Sequence, residues 1–181
     1  MKICITGYRP SKMPEQYGYD IHNAAWQKLK SAFMDVSIFL WAKQQYKLKI
    51  YTGMALGIDQ AFAEAAFALQ KQVPGITVEA AVPCYNQEVK WPIAGRELYH
   101  KILERCDNIV YVTKSTFTND CMEVRNRYMV DHSDAIIAVY DGKTGGTKNC
   151  INYAKKQRKG IIVIHPSTLQ VYFDKGLWNT L

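Results

Sequence analysis

Short apolar runs alternate with helix-like patterns along the whole chain. The first two runs centre on residues 3–5 and 48–51, and four more follow at 76–82, 108–112, 135–140 and 161–164. The last two are almost continuously apolar, which is typical of strands buried on both faces. Helical patterns between the runs indicate βαβ units. The sequence therefore predicts a Rossmann-like α/β fold of three layers, with a mostly parallel sheet of about six strands.

The helical patterns differ in strength. The first segment has apolar residues at steps of three and four positions, which predicts an amphipathic helix through Trp26, Leu29, Phe33, Val36 and Leu40. A second stripe runs from Ile58 to Leu69 and stops before Pro74-Gly75. Less regular patterns predict helices at 93–105, 119–132 and 147–158. We expect Trp26 and Trp41 to lie in the core.

Composition narrows the class of protein. The 181 residues are 48% hydrophobic and 22% charged, the balance of an ordinary globular protein. No repeat or Pro/Gly/Ser-rich linker divides them, so we predict a single domain over residues 1–181. The first apolar run ends within MKICITGYRP, too early for a secretory leader or a membrane span. We therefore expect a cytoplasmic protein with no membrane partner.

Cysteine and histidine spacing argues against metal chemistry. The five cysteines form no CxxC pair, and the four histidines are scattered, so no zinc-type ligand set is present in the sequence. The odd number of cysteines argues against a complete disulfide framework. We predict reduced thiols, no metal and no further cofactor.

The formal net charge of +7 favours phosphate-bearing ligands and also loose contact with nucleic acid. The basic residues are spread along the chain, with a cluster at 155–159 that a solvated helix end explains equally well. No recognition helix or RNA-binding motif accompanies the charge. A small phosphorylated molecule is therefore the favoured partner, and nucleic acid the less favoured one.

Two loops that follow the first two strands have candidate binding residues. The segment 6–10 (TGYRP) places Arg9 two residues after Gly7, and a guanidinium can grip phosphate in two places. The segment 52–59 (TGMALGID) places Gly53, Gly57 and Asp59 at the start of a helix, where free N–H groups attract anions. The alternatives are a surface arginine beside a turn and an aspartate that only stabilises its own helix terminus.

Three further segments extend this candidate site. The loop 141–147 (DGKTGGT) precedes a helix and predicts a backbone nest for phosphate. In the segment 123–134, Glu123 and Arg127 fall on a different face from Arg125 and Asn126, which lie near the helix start. The segment 82–92 offers residues for a base or ribose pocket, although its tryptophan is equally suited to capping the core: Cys84, Tyr85, Gln87 and Trp91.

Together these segments resemble the YpsA-like branch of the SLOG superfamily, whose other branches include the LONELY GUY phosphoribohydrolases and the DNA-processing protein DprA. The resemblance implies a Rossmann-like fold that binds nucleotides or nucleotide-derived messengers at its glycine loops. Carried over by position, it implies a site formed by Gly7, Arg9, Gly53, Gly57, Asp59, Arg125, Asn126, Asp141, Gly145, Gly146 and Thr147. From the same segments we add three candidate binding residues: Tyr8, Met54 and Pro83.

The chain departs from this pattern at two positions. LONELY GUY enzymes have a loop Gly-Gly-x-Gly-Thr-x-x-Glu whose glutamate helps break the N-glycosidic bond, but here Gly146-Thr147 is followed by Lys148, Asn149 and Cys150. The histidine usual in the branch after the first glycine is replaced by Tyr8. The leading hypothesis is therefore a domain that binds a nucleotide-derived signal, such as an ADP-ribose derivative, as a sensor or sequestering protein.

Two other functions stay open at this point. One is a nucleotide N-glycosidase in which Asp59 or Glu123 stabilises the oxocarbenium-like transition state or activates water. The other is DNA binding of the DprA kind, which rests on charge and analogy. Because sheet edges of such folds often pair, a homo-oligomer is an additional expectation.

Overall fold

The structure, a computed structural model, describes residues 1–174. In this range seven strands form one sheet: β1 (Lys2–Thr6), β2 (Leu48–Thr52), β3 (Ile76–Val82), β4 (Asn108–Tyr111), β5 (Ala135–Val139), β6 (Gly160–Ile164) and β7 (Val171–Phe173). Their order is β4-β3-β2-β1-β5-β6-β7, and all pairs are parallel except β6 with β7. The predicted, mostly parallel sheet is confirmed.

The seventh strand is an addition to the six predicted. Val171, Tyr172 and Phe173 are all exposed, so this short antiparallel edge strand has no alternation of buried and exposed positions to mark it. The predicted domain extended to residue 181, and residues 175–181 lie outside the described part.

The five predicted helices are present, with small shifts at their ends. They are α1 (Ala24–Lys43), α2 (Ile58–Gln70), α3 (Ile93–Arg105), α4 (Cys121–Asp131) and α5 (Gly146–Lys156). Helix α1 begins earlier than its apolar stripe because the side chain of Asn23 accepts hydrogen bonds from the N–H groups of Ala25 and Trp26, at 3.0 and 3.1 Å. Two 3₁₀ turns, Pro10–Lys12 and Glu15–Tyr17, precede α1 and were not predicted.

The helices cover the two faces of the sheet. Ile3 and Ile5 of β1 pack with residues of α1, α2 and α3, whereas Cys4 between them packs with residues of α4 and α5. Trp26 is completely buried and Trp41 is partly buried against the same core, as expected. The result is the predicted three-layer arrangement.

The topology directs attention to one end of the sheet. From β1 the chain builds outward through β2, β3 and β4, then returns to place β5 on the other side of β1. In open α/β sheets such a reversal opens a crevice at the carboxyl ends of the strands. No helix within residues 1–174 is long and apolar enough to cross a membrane, and this range contains no cluster of side chains able to hold a metal ion.

Candidate functional site

A cavity of about 190 Å³ lies at the carboxyl ends of β1 and β5, where the strand order reverses. Its walls come from four places: the loop after β1, the segment from β2 into the first turn of α2, one face of α4, and the loop that leads into α5. Many of the predicted residues meet here: Gly7, Tyr8, Arg9, Asp59, Arg125, Asn126, Gly145, Gly146 and Thr147. We call this space the central cavity.

The loop before α5 leaves an open helix N-terminus on the central cavity. Gly145 has a φ of +135°, which L side chains rarely adopt, and no side chain of the described residues caps the helix. A Cβ added at Gly146 would meet no atom of these residues within 4 Å. Because the first N–H groups of a helix have no partner within the helix, this terminus is suited to an anion. We call residues 144–147 the open turn.

The earlier glycine turn, residues 53–57, is different because the protein fills it. The Arg125 guanidinium donates to the carbonyl of Gly53 and also lies 3.2 Å from an oxygen of Asp59. A Cβ at Gly53 would collide with that guanidinium, and one at Gly57 would lie 2.7 Å from Pro10 Cδ. These glycines therefore permit close packing within the protein. We call residues 53–57 the filled turn.

Asp59 is held inside the filled turn and is not a free carboxylate. Its side chain accepts from the Ala55 N–H at 3.0 Å as well as pairing with Arg125, and only 5% of the residue is exposed. Burial raises the pKa of Asp59, an effect that the positive charge of Arg125 opposes. Its principal contacts are with the protein itself.

One hydrogen-bond donor of Arg125 is not used by the described residues. The residue is 4% exposed and lines the central cavity, yet its buried Nε has no hydrogen-bond partner among the described residues. A buried N–H without an acceptor is costly, because it has lost water and gained nothing in exchange. An anion or a bound water in the central cavity would be a suitable acceptor.

Tyr8 and Asp141 join the loop after β1 to the open turn. The Tyr8 hydroxyl donates to Asp141 Oδ1 at 2.7 Å, and Lys143 Nζ lies 2.7 Å from Asp141 Oδ2. Burial raises the pKa of Tyr8 to about 12. At Asp141 burial also acts to raise the pKa, but the hydrogen bonds from Lys143 and Tyr8 outweigh it and leave the pKa lowered. Asp141 lies outside the lining of the central cavity and positions the loop that forms it.

Comparison with known proteins assigns this arrangement to a family. The sequence profile named YpsA, described as the YspA SLOG family, matches residues 3–169. The chain belongs to this family. The SPbeta prophage-derived protein YoqJ of Bacillus subtilis is 37% identical, over 76% of this chain and 86% of that protein. A UPF0398 protein of Bacillus thuringiensis is 27% identical, over 98% of this chain and 97% of that protein.

A solved structure shares the fold. DNA processing protein A from Helicobacter pylori, described for its single-stranded DNA binding mode, matches with a TM-score of 0.59 and 20% identity. The match covers 93% of this chain and 66% of that one. At this identity the likeness concerns the fold alone. The resemblance expected from the loop segments is confirmed by the YpsA family match.

Some predicted residues of this YpsA-family chain lie away from the central cavity. Met54 is fully buried, and the carbonyl of the buried Pro83 accepts from the hydroxyl of Thr113. With these two, the predicted residues outside its lining are Gly53, Gly57 and Asp141. Glu123 is also outside it, because it faces solvent and pairs with Arg127 one helical turn away.

Other lining residues were not predicted, above all Lys12. The 3₁₀ turn Pro10–Lys12 brings its ammonium to 3.9 Å from where a Cβ on Gly145 would lie. Ala55 and Met122 complete this part of the wall. A signal for Lys12 was present, since a proline directly after Arg9 favours a tight turn that folds the next residues back.

The segment after β3 lines a second groove. Tyr85, Gln87 and Trp91 line a groove of about 580 Å³. Trp91 also packs edge-on against Tyr99 of the core, with 5.7 Å between ring centroids, so it closes the core and forms a groove wall at once. Cys84 is buried with its sulfur 3.4 Å from that of Cys121, and both thiols are free.

Proposed function

We propose that this YpsA-family protein binds a nucleotide or nucleotide-derived signalling compound, such as an ADP-ribose derivative, and acts as a sensor or sequestering protein. A phosphate group of the ligand lies against the open turn, with Arg9 and Lys12 on its outer side. The observation that carries the proposal is that the open N-terminus of α5 lines the same cavity as Arg125, whose buried Nε has no hydrogen-bond partner among residues 1–174. Both features have the chemistry to bind an anion.

The size of the central cavity supports a phosphate subsite within a larger binding region. Ligand pockets are commonly about 300–1,000 Å³. The central cavity, at about 190 Å³, is smaller than that and suits a phosphate with part of a sugar. The remaining parts of a nucleotide then lie in the grooves next to it.

The arrangement of carboxylates favours binding over N-glycosidic cleavage. Cleavage builds positive charge on the ribose, so a carboxylate must be available beside the sugar. Asp59 is already paired with Arg125, and Glu123, which lies outside the central cavity in the groove between α4 and α5, is paired with Arg127. Cys150 also stands where the LONELY GUY pattern has its glutamate, and burial raises its pKa to about 11.

Two measurements on the purified full-length protein test the proposal. Native mass spectrometry is expected to show a retained nucleotide. If none is retained, calorimetry is expected to show that ADP-ribose binds more tightly than adenosine, which lacks phosphate. In parallel, chromatography of ADP-ribose, AMP and NAD incubated with the protein is expected to show no free base. Equal affinity for ADP-ribose and adenosine contradicts the phosphate site. Release of base in proportion to added protein establishes the enzyme instead.

A further inference from the structure

The central cavity shares lining residues with two larger grooves. One groove, of about 510 Å³, runs between α4 and α5 and shares Met122, Asn126 and Gly146 with the central cavity. The other, the groove of about 580 Å³ after β3, shares Arg9 and Met122 with it. We call the three neighbouring spaces together the trough, and its middle is the central cavity with the open turn, which shares residues with each groove.

The groove between α4 and α5 is rich in side-chain amides, and we call it the amide groove. None of its asparagine side chains makes a hydrogen bond within the described part of the chain: Asn119, Asn126, Asn149 and Asn152. Each amide offers a donor and an acceptor side by side, the pattern that pairs with the edge of a nucleobase. The groove therefore has hydrogen-bonding capacity that the protein does not use itself.

The groove after β3 has exposed aromatic rings, and we call it the aromatic groove. Tyr85 is 42% exposed and Phe117 is 59% exposed, although large apolar side chains are usually buried. Tyr85 packs on Tyr111 with 5.0 Å between ring centroids, which supports it from one side. Exposed rings of this kind stack with nucleobases through their faces.

We propose that the ligand has a nucleoside on each side of its phosphates, as dinucleoside pyrophosphates do. The inference rests on the proposed function, because it needs the phosphates at the open turn. One base then pairs with the amides of the amide groove, and the other stacks in the aromatic groove. Arg9 lines both the central cavity and the aromatic groove, and Gly146 lines both the central cavity and the amide groove. Phosphates bound between these two residues would allow one nucleoside, or arm, to enter each groove.

A nucleic-acid strand also alternates phosphates and nucleosides, but the charge distribution favours the shorter ligand. Proteins that bind a strand have cations along the path of its backbone. Here the cations beside the trough concentrate at its middle, at Arg9 and Lys12. The amide groove has Arg127, which is paired with Glu123, and Lys156, and the aromatic groove has Lys90, so each groove adds one cation without a carboxylate partner among the described residues.

Calorimetry with three probes tests the two-armed ligand on the full chain. The probes are inorganic pyrophosphate, ADP and diadenosine diphosphate, which have no, one and two nucleosides. Each added nucleoside is expected to increase affinity about tenfold or more, the scale of one stacked or paired base. Diadenosine diphosphate that binds no more tightly than ADP overturns the inference. Absence of binding by all three probes contradicts the proposed function itself.

Variants assign each arm to its groove. Asn149→Ala and Tyr85→Ala are each expected to weaken diadenosine diphosphate about tenfold, while pyrophosphate is unaffected by either. The matched controls, Gln72→Ala and Tyr19→Ala, remove an exposed amide and an exposed ring outside the trough and should change nothing. If either groove variant leaves diadenosine diphosphate unchanged, the two-armed ligand is wrong. Tighter, competitive binding of oligothymidylate of about twelve nucleotides identifies a strand instead.

Discussion

The filled turn and the open turn look alike in sequence and serve different purposes in the structure. Each places glycines directly before a helix at the carboxyl end of a central strand. At Gly53 the space that a side chain would take is occupied by Arg125, whereas at Gly146 no atom of residues 1–174 lies within 4 Å of an added Cβ. Glycine at a helix N-terminus thus marks a close approach, and only the fold decides whether protein or ligand makes that approach.

The charged side chains at the two turns also differ in burial and pairing. Within the filled turn, Asp59 and Arg125 compensate each other and are almost wholly buried. At the open turn, the nearby cations Arg9 and Lys12 are exposed. Mutations in the filled turn should therefore mainly change stability, and those in and around the open turn should mainly change ligand binding.

The largest effect is expected from Gly53→Ala. The new methyl group displaces the Arg125 guanidinium from Asp59, and disrupting a buried ion pair costs about 3–5 kcal/mol of unfolding free energy. Urea denaturation followed by circular dichroism measures the loss. The control, Gly146→Ala, adds the same methyl group in open space and should keep wild-type stability or exceed it slightly. Equal losses for both variants would remove the distinction between the turns.

The next effect is expected from Arg9→Ala. Because Arg9 is exposed and lines the central cavity, its loss should spare the fold but weaken a phosphorylated ligand by about 1.5–3 kcal/mol, the scale of a charge-assisted hydrogen bond. Calorimetry with ADP-ribose and adenosine measures the difference between the two ligands. If both ligands lose the same affinity, Arg9 does not contact phosphate.

A smaller effect is expected from Tyr8→Phe, which removes the hydrogen bond to Asp141. The unfolding free energy should fall by about 1 kcal/mol. Since the pKa of Asp141 is lowered in the folded protein, its contribution is present above the unfolded pKa of about 3.9 and is lost as pH falls through the lower, folded value. Urea denaturation between about pH 3 and 7 should show a weaker acid dependence in the variant. An identical pH profile would place the stabilisation elsewhere.

The smallest effect is expected from Glu123→Gln, since Glu123 belongs to neither turn. Its exposed pair with Arg127 is of the i,i+4 kind, which is worth about 0.3–0.5 kcal/mol. Stability by denaturation and affinity for pyrophosphate should both stay near wild type. A base-releasing activity that this substitution abolishes would assign Glu123 a catalytic role and contradict the binding function.

The sequence predicted most of the fold because the buried elements have strong periodic patterns. Trp26 to Leu40 marked α1, and the continuous apolar runs marked β5 and β6. Strand β7 was missed because its side chains are exposed and its three residues have no pattern of their own. The 3₁₀ turn that carries Lys12 was missed because its signal, the proline directly after Arg9, belongs to local turn chemistry and not to a periodic pattern.

The sequence predicted where in the fold the candidate site lies, but not which side chains contact each other inside it. Loops at the carboxyl ends of β1 and β5 form the central cavity, as topology alone suggests. Which glycine turn is filled depends on Arg125, which is 72 residues from Gly53 in sequence. Periodicity places Arg125 on a helix face, but only the packing of α4 against β1 and β3 shows that it enters the turn.

The central distinction is tested most directly by the affinity of Gly146→Val for ADP-ribose, measured by calorimetry beside the wild type. The Cβ of the new side chain meets no atom of the described residues within 4 Å, and the branched side chain occupies the space proposed for phosphate. Ser31→Val, which adds the same side chain at an exposed position of α1, is the control. We predict that Gly146→Val loses binding while its unfolding transition matches that of the control. Undiminished affinity in Gly146→Val would contradict a phosphate site at the open turn.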